Sequence, residues 1–327
     1  MRRIFSFFVV LAVALGGGAV WWLNQSLSMT ADKVDLSVEP GTSARGAVQA
    51  VVDAGVQTHP LLLYWWFRLS GDARQIKAGS YEIERGTTPR TLLQKLVRGD
   101  EALRALTLVE GWTFRQVRAA LLKTEHLQPQ SKDLTDDSIM AALGKPGVHP
   151  EGLFFPDTYT YAKGSSDLAL LQRAMRAMDK KLAAAWSQRT PDTPLKTPRE
   201  ALILASIVEK ETGQENERPL IASVFVNRLR IGMMLQTDPT VIYGLGTAFD
   251  GNLRRRDLEA DTPWNTYTRS GLPPTPIAIP GKAALLAAVQ PASSKALYFV
   301  SRGDGSSHFS VSLDEHNRAV NKYQRGQ

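Results

Sequence analysis

The sequence predicts an α+β protein with an N-terminal transmembrane helix, a small α/β unit and a larger mixed α/β domain. Three observations carry this. An uncharged run over residues 4–23 follows Arg2 and Arg3. A strand, a glycine turn, a Ser or Thr cap and a helix then recur three times. Farther on, an apolar helix starting at Thr197 ends in two closely spaced carboxyls, Glu209 and Glu211. The expected boundaries are 1–23 for a cytoplasmic tip and membrane anchor, 24–36 for a tether, 37–105 for the small unit and 106–327 for the larger domain.

Composition limits the function. With 327 residues, 43% of them hydrophobic, the chain can bury a real core and fill about two domains. The net charge of +7 is modest for this length. The densest basic run, Arg254-Arg255-Arg256, is followed by Asp257 and Glu259, and no aromatic-rich basic stripe accompanies it. Nucleic acid is therefore not an expected partner. The absence of cysteine excludes disulfides, thiol catalysis and thiolate zinc. The 5 histidines lack ligand spacing, so no metal is expected.

The first element is the anchor. Twenty residues at about 1.5 Å each span roughly 30 Å, the thickness of the bilayer core. Trp21 and Trp22 stand at its far end, where indoles favour the headgroup region. Arg2 and Arg3 should stay cytoplasmic, which puts the bulk of the chain on the outer face of the inner membrane. A cleaved signal peptide is the competing reading. It requires a shorter apolar core followed by a small-residue cleavage site.

The small unit comes next. Val38-Glu39-Pro40-Gly41-Thr42-Ser43 leads into one helix, Ile83-Glu84-Arg85-Gly86-Thr87-Thr88 into a second, and Val109-Glu110-Gly111-Trp112-Thr113 into a third. Each hydroxyl is a helix cap. The spacing is too irregular for a solenoid. Between the first two copies, the aromatic run Leu61-Leu62-Leu63-Tyr64-Trp65-Trp66-Phe67 reads as a packed helix close to the membrane surface.

In the larger domain, Thr197 is an N-cap, Pro198 the first helical residue, and Glu200 closes a capping box. Glu209 then falls about three turns in. A carboxyl among alkyl side chains loses hydration, its pKa rises, and it can hold a proton for general acid catalysis. The competing reading is a helix end emerging into water.

Several motifs resemble known families. "AGSYEIERGTTPRTLLQKLVRG" is similar to the LysM-type glycan-binding module. "EGLFFPDTY", "ASIVEKET", "ASVFVNRLRIGMMLQTDPTVIYG", "NTYTRSGLPPTPIAIPG" and "LYFVSRGDGSSHFSVSLDEHN" together resemble the YceG-like (MltG-type) endolytic murein transglycosylases over nearly the whole chain. The resemblance implies cleavage of the β-1,4 bond between N-acetylmuramic acid and N-acetylglucosamine in peptidoglycan glycan strands, with a 1,6-anhydro product. One carboxyl would act as acid and then base, with no metal or organic cofactor. Peptidoglycan synthases are the implied partners. A non-catalytic peptidoglycan-binding scaffold is the alternative.

Glu209 and Glu211 point about 200° apart on a helix, so only one faces a cleft. One turn before Glu209 stand the small residues Ala205 and Ser206, which would leave room for a sugar ring; one turn before Glu211 stand Ile207 and Val208. The resemblance, as aligned, also places the family's catalytic glutamate at Glu209. Glu209 is thus the first candidate and Glu211 the second. Gln236, Asp238, Asn265 and Tyr267 are candidates to hydrogen-bond the sugars, and Tyr243 to stack on one. The competing readings are a Thr237-Asp238-Pro239 turn and a core position for Tyr243.

Overall fold

The computed structural model describes residues 2–326, apart from the side chains of residues 2–5, 8, 12 and 15. Two compact units form, Met1–Arg104 with Thr160–Gly164, and Ala105–Tyr159 with Ser165–Gln327.

The first unit contains α1 (Arg2–Leu23), β1 (Ser28–Met29), β2 (Lys33–Val38), α2 (Ala44–Asp53), β3 (Val56–Gln57), α3 (Pro60–Leu69), β4 (Gly79–Glu84) and α4 (Pro89–Arg98). β2 and β4 are antiparallel, with Val34 opposite Ile83 and Leu36 opposite Tyr81. Strand alternation puts Val34, Leu36 and Val38 on the buried face. There they join Val48 and Val51 of α2, Leu63 and Phe67 of α3, and Leu92 and Leu96 of α4 in one core. Ser43 and Thr88 cap α2 and α4 through their side chains, as the repeated pattern predicts.

Helix α1 is 22 residues long. The side chains of Arg2 and Arg3, on which the expected orientation rests, lie outside the described residues. Among the described residues, no helix is long and apolar enough to cross a membrane. β5 (Leu103–Thr107) and β6 (Thr158–Ala162) form a two-stranded sheet. The sequence assigns residues 160–164 to the larger domain, whereas the fold puts them in the first unit. Lys163 pairs there with Asp35 at 2.5 Å, and its carbonyl accepts from the Ser80 hydroxyl at 2.8 Å.

The second unit holds α5 (Phe114–Lys123), α6 (Asp136–Ala142), α7 (Asp167–Ser187), α8 (Pro198–Glu211), α9 (Arg218–Arg230), α10 (Asp238–Leu245), α11 (Arg255–Glu259), α12 (Lys282–Val289), β7 (Tyr298–Ser301), β8 (Ser307–Ser310) and α13 (Leu313–Gln324). α8 is its centre and packs against α7, α9, α10 and α12. All residues over 201–208 are buried, as suits a helix apolar on every side. Thr197 caps it by accepting from the Glu200 N–H at 3.2 Å. The expected capping box is only half made, because the Glu200 carboxylate takes the Lys196 N–H at 2.6 Å instead of the Thr197 N–H. The helix stops at Glu211, so both carboxyls occupy its last turn.

Candidate active site

The two carboxyls closing α8 have opposite surroundings. Glu209 Oε1 accepts from Arg218 Nη2 at 3.0 Å, and Oε2 accepts from the Gly281 N–H at 2.9 Å. Their side chains are only 5% and 10% exposed for Glu209 and Arg218. Glu110 lies 4.0 Å from the same guanidinium. Burial, then the Glu209 charge, raises the Glu110 pKa. The Glu110 carboxyl lies close over Gly281, where a Cβ would come within 1.8 Å of its Oε1 and the side chain would have to swing aside. A carboxylate bonded to a guanidinium and a backbone amide is held as an acceptor. The room expected one turn back from Glu209 does not exist. Ala205 and Ser206 are fully buried, and the Ser206 hydroxyl accepts from the Ile277 N–H at 3.0 Å.

Glu211 instead lines a cavity of about 610 Å³ together with Arg228, Gln236, Asp238, Tyr267 and Tyr298. Burial pushes its pKa up to about 7, against the Thr237 hydrogen bond; the Asp238 charge adds to the rise and the Arg228 charge opposes it. The Thr237 hydroxyl donates a short hydrogen bond to Glu211 Oε1. Thr266 sets Thr237 in place. Its hydroxyl accepts from the Thr237 N–H at 3.0 Å, and its carbonyl accepts from the Gln236 N–H at 3.0 Å. Gln236 itself sits at φ 46°, a left-handed conformation that a non-glycine residue adopts at a cost. The Tyr267 hydroxyl donates to Asp238 Oδ1 at 2.6 Å. Arg228 is buried beside Glu211, donating to the Leu297 carbonyl at 2.7 Å and the Leu235 carbonyl at 2.6 Å, with its guanidinium 5.3 Å from the Tyr298 ring centre.

Gln236, Asp238 and Tyr267 therefore gather around Glu211, not Glu209. Asn265 is fully buried and does not line the cavity. Its amide donates to the Leu258 and Ala260 carbonyls, and its Oδ1 accepts from the Tyr267 N–H, so it fixes the loop that carries Tyr267. Tyr243 stands at a second cavity of about 530 Å³, where its hydroxyl donates to Glu151 Oε2 at 3.1 Å. Thr237, Arg228 and Glu151 were not singled out from the sequence. Arg228 follows "SVFVN" like any charge closing a surface helix, and only packing reveals that it is buried. A lone acid before the apolar run Leu153-Phe154-Phe155 was the available signal for Glu151.

The sequence model of the YceG-like family matches residues 36–322. An endolytic murein transglycosylase from Bacillus subtilis is 30% identical over 307 residues, covering 89% of this chain and 84% of that protein. An endolytic murein transglycosylase from Streptococcus pneumoniae is 27% identical over 359 residues, 97% of this chain. This chain spans 64% of that streptococcal protein's length. The 2.6 Å crystal structure of a YceG-like protein from Listeria monocytogenes matches with a TM-score of 0.57 and 29% identity, over 88% of this chain and 98% of that one. On this evidence the chain belongs to the YceG-like family.

Proposed function

We propose that this protein is an endolytic murein transglycosylase, a lyase that cuts peptidoglycan strands with Glu211 as its acid and base. The observation that carries the assignment of the acid is the desolvated Glu211 carboxyl at the wall of a polar cavity. The relatives' names carry the reaction class. Glu211 gives its proton to the glycosidic oxygen as the bond from that oxygen to the anomeric carbon breaks. The resulting carboxylate takes the proton of the sugar's own 6-hydroxyl, whose oxygen bonds to the anomeric carbon. No water is consumed. Because the nucleophile is tethered and already close, the second carboxylate of an ordinary glycosidase is not needed. Thr237 and Arg228 stabilise the carboxylate stage, and exposed Gln236 and Asp238 with half-buried Tyr267 offer polar contacts to the sugars.

Glu209 takes a structural role in this scheme, tying α8 to α9 and to the start of α12. The test is mass spectrometry of products made by Glu211→Gln and by Glu209→Gln. Loss of the anhydro product is expected in Glu211→Gln with a Tm no lower than that of the wild type. An active Glu211→Gln, beside a normally stable but inactive Glu209→Gln, would return the acid role to Glu209. A product one water heavier would mean hydrolysis.

The apolar N-terminal helix serves as an inner-membrane anchor, with the N-terminus cytoplasmic and the rest periplasmic, beside peptidoglycan synthases. Phe7, Val10, Val13 and Trp21 leave large apolar surface exposed along it, which supports this reading. The first unit acts as a LysM-like glycan contact. Membrane fractionation before and after deletion of residues 2–23 tests the anchor.

A further inference from the structure

We propose that the cavity at Glu151 is a second saccharide subsite, one that takes N-acetylated sugar rings of the strand alongside those at Glu211. It rests on the transglycosylase reading above. Both cavities draw lining residues from the same two helix ends. Lys210 lines the Glu151 cavity and Glu211 the other; Pro239 lines the Glu151 cavity and Asp238 the other. An enzyme that cuts within a strand must hold sugars on both sides of the broken bond, and a second lined cavity extends the room for them.

The lining suits a neutral, ring-shaped ligand. Tyr243 and Trp264 meet edge to face, with centroids 5.4 Å apart, and Phe249 and Ile242 widen the apolar wall. Polar groups converge below it. Glu151 is 3% exposed and accepts from the Phe114 N–H at 2.9 Å and the Tyr243 hydroxyl at 3.1 Å. His149 Nδ1 accepts from the Glu151 N–H at 3.2 Å. Burial pushes the Glu151 pKa up to about 7 and lowers that of His149, so each is moved away from its charged form. An apolar wall with a few convergent polar groups is the usual build of a small-ligand site. The exposed cations Arg115 and Lys210 stay at the rim. The apolar wall and the uncharged floor favour sugar rings.

The test uses full-length Glu211→Gln protein, which cannot turn substrate over under the reading above. A peptide-free N-acetylglucosamine hexasaccharide is added and amide exchange is followed. Slower exchange over residues 242–249 is expected, and unchanged exchange there overturns the subsite. By calorimetry, adding Phe249→Ala should weaken hexasaccharide binding roughly ten-fold, about what losing one aromatic contact costs. Affinity within two-fold of the parent in a folded variant overturns it too, as does protection by a free acidic tetrapeptide in place of the sugar. If the wild type forms no anhydro product while the hexasaccharide still protects 242–249, the transglycosylase reading fails and the subsite stands. Anhydro product without protection rejects the subsite alone.

Discussion

Two residues of separation give two carboxyls of one helix turn different chemistry. Glu209 is paired with Arg218, while Glu211 is desolvated and faces a cavity. Each role implies a measurement. With Glu211 as the acid proposed above, kcat/KM should hold below its raised pKa and fall as pH rises through about 7. A rate that keeps rising up to pH 9 would contradict this. Removing the Glu209 charge leaves the buried Arg218 guanidinium, whose Nε already lacks a partner, facing the half-exposed Glu110 carboxylate at 4.0 Å in place of a close buried one. Breaking a buried pair from one side costs about 3–5 kcal/mol. Glu209→Gln should therefore unfold at a clearly lower denaturant concentration than the wild type, whereas Glu211→Gln should not.

At the scale of elements, the start of α8 was legible and the direction of its carboxyls was not. Thr197 and Pro198 announce the helix through local chemistry that any chain displays. Choosing between Glu209 and Glu211 required knowing which side of the helix met solvent. A helix buried on every side has no periodicity to report that. The small residues Ala205 and Ser206 suggested an open face, yet they serve close packing and a hydrogen bond to the Ile277 amide. Arg228 and Glu151 were hidden for a related reason, since their partners come from segments remote in sequence. The turn at Gly152 shows what such closeness demands. Its φ is +79°, and a Cβ there would lie 2.5 Å from Pro276 Cβ. Gly152→Ala should cost about 2–4 kcal/mol from left-handed strain and overpacking together, read from the denaturant midpoint. It should also disturb the neighbouring Glu151.

For the whole molecule, these raised acids impose a pH dependence on stability. Glu151 and Glu211 both hold protons up to about 7 in the folded state, whereas unfolded carboxyls release theirs near 4.5. Between those values the native state binds more protons than the unfolded one, so stability falls as pH rises. His149 and His316 are lowered from 6.5, so protonation favours the unfolded state and stability rises with pH through that region. The two trends oppose one another, and the wild-type curve alone cannot apportion them. The difference between Glu211→Gln and the wild type can. Glutamine keeps an acceptor for the Thr237 hydroxyl but never ionises, so the variant should gain nothing below pH 5 and progressively more above it. By pH 8 the gain should approach about 3 kcal/mol, the full shift at about 1.4 kcal/mol per pH unit, reduced by whatever relaxation lets water reach the carboxylate. Exposed acids with lowered pKa values, such as Asp250 and Asp261, lose their contribution only below their ordinary 3.8, outside this window. A Glu211→Gln stability difference that does not change between pH 5 and pH 8 would mean that this carboxyl titrates normally, and it would remove the physical basis for its acid role.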